Sequence, residues 1–438
     1  MPNLLKYFCA EHGGWVATLA TVVAGVMFSI DAKAQQSDSI KRWGVAVGAG
    51  MGKILVVDKY QEKWQKGKNN YSFDVALEHR AAPKDSSLFD FDYGLPVVGA
   101  RMKVALNHNV TMHRNEDPHW GMAQPVDYYS RMGNTVALYG SFARPFFRNR
   151  TFEADAALSA GIGFCNTIYD KENNVDNELI GTHFLVYFGL GTHLTWRFIK
   201  DWGIRAGLEY WHLSNGALGR PNKGANFAGP VVSLTYMPHF EQVRGRPLKR
   251  LYHPFKRQVY LDFTLGVGAK TLYEEWDKTQ FKTPMGEEDY RTGDFKLYMA
   301  YSAQTDLMCR YDRKWASGIG FDLFYGGYAS TVEKIEKERG VEAKHNPWSI
   351  GIAVKHQAFY KRISLAMSIG WYLYREMGDN AKVMEKRYYE RIGIKYSLPG
   401  KLPFTVGASV KAHFTKADLT EIHLSMPLSL NAKNNKYN

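Results

Sequence analysis

The sequence predicts an all-β fold of the outer-membrane type: antiparallel β-barrel, arranged as two tandem eight-stranded barrels. Three observations predict it. The N-terminus reads as an export signal, no later segment is apolar enough for a membrane helix, and the remaining chain runs in short segments of alternating polar and apolar residues. Aromatic residues make up 14% of the 438 residues, with 27 Tyr, 24 Phe and 11 Trp beside 40 Gly. Membrane barrels use such rings as girdles at both ends of their strands. An array of soluble β-sandwiches competes with this reading but leaves the aromatic excess unexplained.

The export signal is read from its parts. Lys6 supplies a thin positive region, Trp15 to Ser29 form the apolar run, and Ala32-Lys33-Ala34 is a small-residue cleavage site, so the mature chain is expected to start at Gln35. An uncleaved anchor would require about 20 apolar residues, more than this run holds. Cys9 precedes the apolar run, which removes a lipoprotein reading. Cys165 and Cys309 remain, too few for a disulfide scaffold. The 56 Lys and Arg against 43 Asp and Glu give a formal charge of +13. In an exported membrane chain that excess suits anionic lipid head groups or a phosphorylated glycolipid rather than nucleic acid.

Period-two alternation marks strands near 43 to 57, 70 to 80, 96 to 108, 133 to 147, 152 to 165, 181 to 198, 203 to 214 and 226 to 237. A second set lies near 257 to 273, 293 to 305, 315 to 330, 347 to 358, 362 to 375, 387 to 397, 403 to 415 and 418 to 430. The sets open alike, with Gly48 to Leu55 beside Leu265 to Leu272, and they close alike, with Trp202 to Ser214 beside Pro403 to Thr415. Between them, Met237 to Arg257 carries six Lys and Arg and three Pro. Turns on the inner side of a single barrel are short, so this connector favours two barrels over one of sixteen strands. The expected organisation is a signal at 1–34, a first barrel at 35–240, a basic linker at 241–257 and a second, non-catalytic barrel at 258–438. Asp170 to Asn177 and Glu333 to His345 read as surface loops.

The seventh segment carries the chemistry. Side chains two apart on a strand share a face, so His212 and Ser214 stand together as a base and a nucleophile. Ile204, Ala206, Leu208, Tyr210, His212 and Ser214 form one row, while Arg205, Gly207, Glu209, Trp211 and Leu213 form the other. The charged row faces the lumen of a membrane barrel, which sets His212 and Ser214 on the lipid side, at the outer-leaflet end of the strand. Polar groups facing lipid cost several kcal/mol unless something uses them. In the second set the parity is reversed, and His413 and Thr415 fall on the polar row.

His212-Leu213-Ser214-Asn215-Gly216-Ala217, then Pro221-Asn222-x-Gly224, then a strand ending Leu234-Thr235-Tyr236, resembles the signature of the lipid A 3-O-deacylases. The longer, two-part members known as acyloxyacyl hydrolases are the nearest likeness. The resemblance implies a barrel with its active site on the outer wall, hydrolysing the ester-linked acyl chain at the 3-position of lipid A in lipopolysaccharide without a metal or other cofactor. Carried over, Ser214 is the nucleophile, His212 the general base, and Asn215 and Gly216 offer oxyanion donors in a turn that includes Asn222. The family's glutamate falls on Asn226, which can orient the imidazole but cannot compensate its charge. The alternative is a structural or transport barrel that binds glycolipid without the chemistry.

Overall fold

The computed structural model describes residues 42–82, 87–120, 125–243, 255–383, 385–400, 402–414 and 416–430. The expected export signal, most of the basic linker, Thr415 and the C-terminal tail lie outside them. Eighteen strands are described, β1 Trp43–Ile54, β2 Asn69–Arg80, β3 Val97–Leu106, β4 Thr111–Met112, β5 Ser130–Arg131, β6 Thr135–Arg148, β7 Phe152–Cys165, β8 Phe184–Trp196, β9 Trp202–Ser214, β10 Ala225–Tyr236, β11 Gln258–Lys270, β12 Tyr298–Arg310, β13 Trp315–Gly326, β14 His345–Tyr360, β15 Ile363–Met377, β16 Tyr388–Ser397, β17 Thr405–His413 and β18 Lys416–Ser429. Sixteen of them close into two eight-stranded antiparallel barrels. β1 pairs with both β2 and β10, and β11 with both β12 and β18, so neither sheet keeps a free edge. A single sixteen-stranded barrel is thereby excluded.

Alternation explains the strands. The outer walls expose Leu190, Leu194, Leu208 and Val232 on the first barrel and Leu265, Ile319, Phe321 and Ile369 on the second. The inner rows are charged and paired. In the first lumen Glu78 accepts from Arg205 at 2.5 and 2.9 Å and from Arg101 at 2.7 Å, and Arg80 grips Glu153 through two bonds of 2.7 Å. In the second, Lys355 meets Asp322 at 2.6 Å and Lys395 meets Asp262 at 3.0 Å. Eight strands leave room for side chains only, and these networks fill it.

β1, β3, β7 and β9 end at one rim, as do β11, β13, β15 and β17 of the second barrel, and most of the long loops lie there; the opposite rim has mostly short turns, apart from the 81–96 connection between β2 and β3 with its helix Leu88–Asp92. Two expected surface loops are more ordered than their polarity suggests. Asn174 to Ile180 are buried, because Asp176 and Glu178 accept from the buried Arg114 at 2.6 and 3.0 Å. Ala329–Glu338 is a helix, buried through Val332 and Ile335, that runs into the first part of the stretch read as a loop at Glu333 to His345. A polar sequence hides these because its apolar contacts lie elsewhere in the chain. Trp64, Met112, Met132, Leu179 and Ile180 pack together and cap the first lumen.

The barrels touch at both rims. Tyr360 donates to Asp90 at 2.6 Å and Arg313 meets Asp92 at 2.8 Å on the short-turn side. On the loop side Tyr169 donates to the Arg291 carbonyl at 2.7 Å and packs edge-on against Trp276. Glu153 also accepts from Arg148 at 2.5 Å. Replacing Glu153 by Gln strands two buried guanidinium groups, and the expected loss is about 3–5 kcal/mol. Leu208→Ala on the outer wall is expected to change stability far less. Urea unfolding of both variants in lipid, followed by Trp fluorescence, measures the difference.

Candidate active site

β9 and β10 build the site as neighbours. Their register sets His212 opposite Asn226 and Tyr210 opposite Ala228. The inward members of the row hold the strand in place: Trp211 and Leu213 are 1% exposed, and Trp211 stacks on Phe227 with ring centres 5.4 Å apart. With those side chains anchored in the core, Tyr210, His212 and Ser214 have only the outer face available. Asn226 shares that face across the ladder.

His212 Nδ1 lies 2.8 Å from Asn226 Oδ1, which also accepts from the Tyr210 hydroxyl at 2.7 Å. An amide oxygen only accepts, so it selects the tautomer with the proton on Nδ1 and the lone pair on Nε2. That is the form a general base requires. Ser214, 7% exposed, stands two residues on, and its Oγ accepts from the Gly216 N–H at 3.4 Å. No hydrogen bond joins Ser214 to His212 among the described residues. Gly224 closes the other side. A β-carbon on it would sit 2.8 Å from His212 Cε1 and 3.5 Å from Ser214 Cβ, and its φ of +75° belongs to the left-handed region.

The turn after Ser214 alters one expectation. The Asn215 N–H is already taken by Asn222 Oδ1 at 2.9 Å, while the Asn215 amide donates to the Pro221 carbonyl at 2.7 Å. Of the two expected oxyanion donors, Gly216 is the one aimed at Ser214, and Asn222 acts by shaping the turn. The loop is tied down further along: Gly224 N–H donates to Leu179 O at 3.0 Å, and Lys223 pairs with Asp58 at 2.5 Å. Burial works to raise the Asp58 carboxyl, but Lys223 and the Gln61 N–H outweigh it and hold it below the usual range.

Sequence reading placed His212, Ser214 and Asn226 together, and the structure brings them together. It missed two groups. Tyr210 was legible only as a ring at the interface, although its place two residues before His212 in the outward row is the signal. Gly224 was legible only as part of a motif. In the second barrel His413 points inward, 3% exposed, with its Nε2 2.9 Å from the Tyr372 hydroxyl. With Glu385 and Asp418 it forms a group of metal-type ligands. Their carboxylates are paired to Arg375, Lys270 and Lys411, an environment that opposes a further cation.

Residues 98–235 match the family described as lipid A 3-O-deacylase, and residues 259–428 match the C-terminal domain of acyloxyacyl hydrolase. No curated protein matches the chain. Among solved structures, that of the outer membrane enzyme PagL is 10% identical, covering 43% of this chain and 97% of that one with a TM-score of 0.25. A porin of Rhodopseudomonas blastica (triple mutant) is 5% identical, covering 89% and 100% with a TM-score of 0.15. Pseudomonas aeruginosa OccK11 is 10% identical, covering 89% and 96% with a TM-score of 0.20.

Gly224→Ala is expected to press its β-carbon against His212 Cε1, displacing the imidazole while both barrels still assemble. A displacement near 1 Å at a reacting group lowers a rate by about a hundredfold. Ester hydrolysis by the variant, set against its heat-resistant migration as a folded barrel, measures the two effects separately.

Proposed function

Because the chain belongs to the lipid A 3-O-deacylase and acyloxyacyl hydrolase family, we propose that it is an outer-membrane esterase that removes an ester-linked acyl chain from lipid A. One observation carries this reading. An outward-facing histidine has its Nδ1 proton fixed by Asn226 while a serine stands beside it on the same apolar wall. A substrate embedded in the outer leaflet would reach both without leaving the membrane.

Ser214 Oγ attacks the acyl carbonyl carbon as His212 Nε2 accepts its proton. The Gly216 N–H meets the oxygen that becomes negative, a contribution of about 3 kcal/mol per donor in other hydrolases. Collapse breaks the bond to the sugar oxygen, which leaves as the alcohol with the proton from His212. Water, deprotonated by the same nitrogen, then attacks the acyl-serine; the bond to Ser214 Oγ breaks, the imidazolium returns its proton to that oxygen, and the fatty acid is released. Asn226 keeps the imidazole oriented throughout. Being neutral, it leaves the imidazolium of each transition state uncompensated.

A second reading, a barrel that binds glycolipid without hydrolysing it, draws on two observations: the Ser214–His212 hydrogen bond is missing, and an amide stands where the family has a carboxylate. Apo sites often tighten that bond only with substrate. The experiment compares wild type, Ser214→Ala and Asn226→Glu on lipid A, with free fatty acid measured by mass spectrometry. The expected result is loss of about a thousandfold or more in Ser214→Ala and faster release from Asn226→Glu. Equal release from wild type and Ser214→Ala would overturn the esterase reading, and binding without release would establish the second.

A further inference from the structure

The turn that carries the oxyanion donor is held in a conformation its own residues disfavour. Gly216 and Ala217 have φ of +60° and +71°, and the Leu218 N–H closes the turn on the Asn215 carbonyl at 3.1 Å. Positive φ at both central positions is the type I′ pattern, which favours Asn or Gly at each. A Gly-Ala pair suits type II′ instead. There the peptide between them is flipped and Ala217 takes a negative φ.

What opposes the flip comes from the other barrel. Thr420, on β18, donates its hydroxyl to the Gly216 carbonyl. Thr271, just past β11, donates its N–H at 2.8 Å and its hydroxyl at 3.1 Å to the Ala217 carbonyl. Arg220, from the same loop as the turn, donates in return to the Thr271 carbonyl at 3.3 Å. The fit is close: a β-carbon on Gly216 would lie 2.6 Å from Thr420 Oγ1, and Ala217 is fully buried.

We infer that the second barrel is a positioning device for the catalytic turn of the first, with Thr420 and Thr271 as its positioning residues. This rests on the esterase reading above. Releasing either carbonyl unpins the turn: the Gly216–Ala217 peptide can turn over, and the Asn215–Gly216 peptide, whose N–H points at Ser214 Oγ, is then free to rotate away from it as the turn relaxes.

The test uses the full chain reconstituted with lipid A, as wild type, Thr420→Val, Thr420→Ser, and Thr420→Val combined with Ala217→Gly. Fatty acid release is measured together with the rate at which a fluorophosphonate labels Ser214, because the phosphoryl oxygen of the probe calls on the same donor. Thr420→Val is expected to lower kcat and labelling about tenfold or more, as loss of an oxyanion donor does, with KM within about twofold. Thr420→Ser keeps the donor and is expected to match wild type. The added Ala217→Gly removes the penalty on positive φ and is expected to restore most of the loss. Where Thr420→Val does not assemble, Thr271→Val, which removes one of two donors on Ala217, is expected to slow labelling measurably. Unchanged labelling in Thr420→Val, or an equal loss in Thr420→Ser, overturns the inference. Wild type that labels without releasing fatty acid overturns the lipid A reading while the labelling series still decides this one; wild type that does neither overturns both.

Discussion

Closure of each sheet on itself is the constraint from which the rest of this molecule follows. A strand facing lipid has no water to satisfy its backbone, so every N–H and C=O must find a neighbouring strand, and only a closed antiparallel ladder leaves none over. Closure fixes register, and register fixes which side chains point out. β9 shows the consequence locally. Trp211 and Leu213 are buried on the inside, so Tyr210, His212 and Ser214 have no alternative to the outer wall. A slip of one residue would put the indole in lipid and the histidine among the lumen charges.

This is why so much was legible. Alternation is imposed by the two environments, and it located all sixteen barrel strands, including β9, whose end at Ser214 matched the structure. The pairing of His212 with Asn226 was legible for the same reason, since a cross-strand partner follows from the strand ends and the turn between them. What escaped lies in backbone groups. That the Asn215 N–H belongs to Asn222 depends on the path of the ten-residue loop at 215–224, where no periodic pattern operates. Equally, the hold of Thr420 on Gly216 spans 204 positions of sequence, and nothing in either segment announces the other.

The interiors bear on function as well. A conduit requires a lumen wider than its side chains, and eight strands do not provide it. Here both lumens are occupied by buried ion pairs, with Glu78 between Arg101 and Arg205 in one and Asp322 against Lys355 in the other. Breaking any of these would leave an uncompensated charge at a cost of several kcal/mol, so transport through either barrel would have to dismantle what stabilises it. Binding and chemistry are left to the outer wall and the loop rim. Those are the surfaces on which the histidine, the serine and the inter-barrel contacts lie.

The balance at the turn shows how one barrel can govern chemistry on the other. An L-residue in the left-handed region, as Ala217 is, costs roughly 1–2 kcal/mol, enough for the turn to prefer its flipped form by about a factor of ten. Each hydrogen bond to a carbonyl returns about 1 kcal/mol net, and the second barrel supplies three of them. The sum reverses the preference, but not by much. Loss of a single donor would therefore leave two populated turns rather than one, and the relaxed turn no longer pins the Asn215–Gly216 peptide with its N–H toward Ser214. A rate that depends on that donor would fall in proportion to the population lost, while substrate held by the apolar wall would bind as before. The second barrel thus acts on kcat through a geometry it shares with the first, without contributing any group that touches the ester.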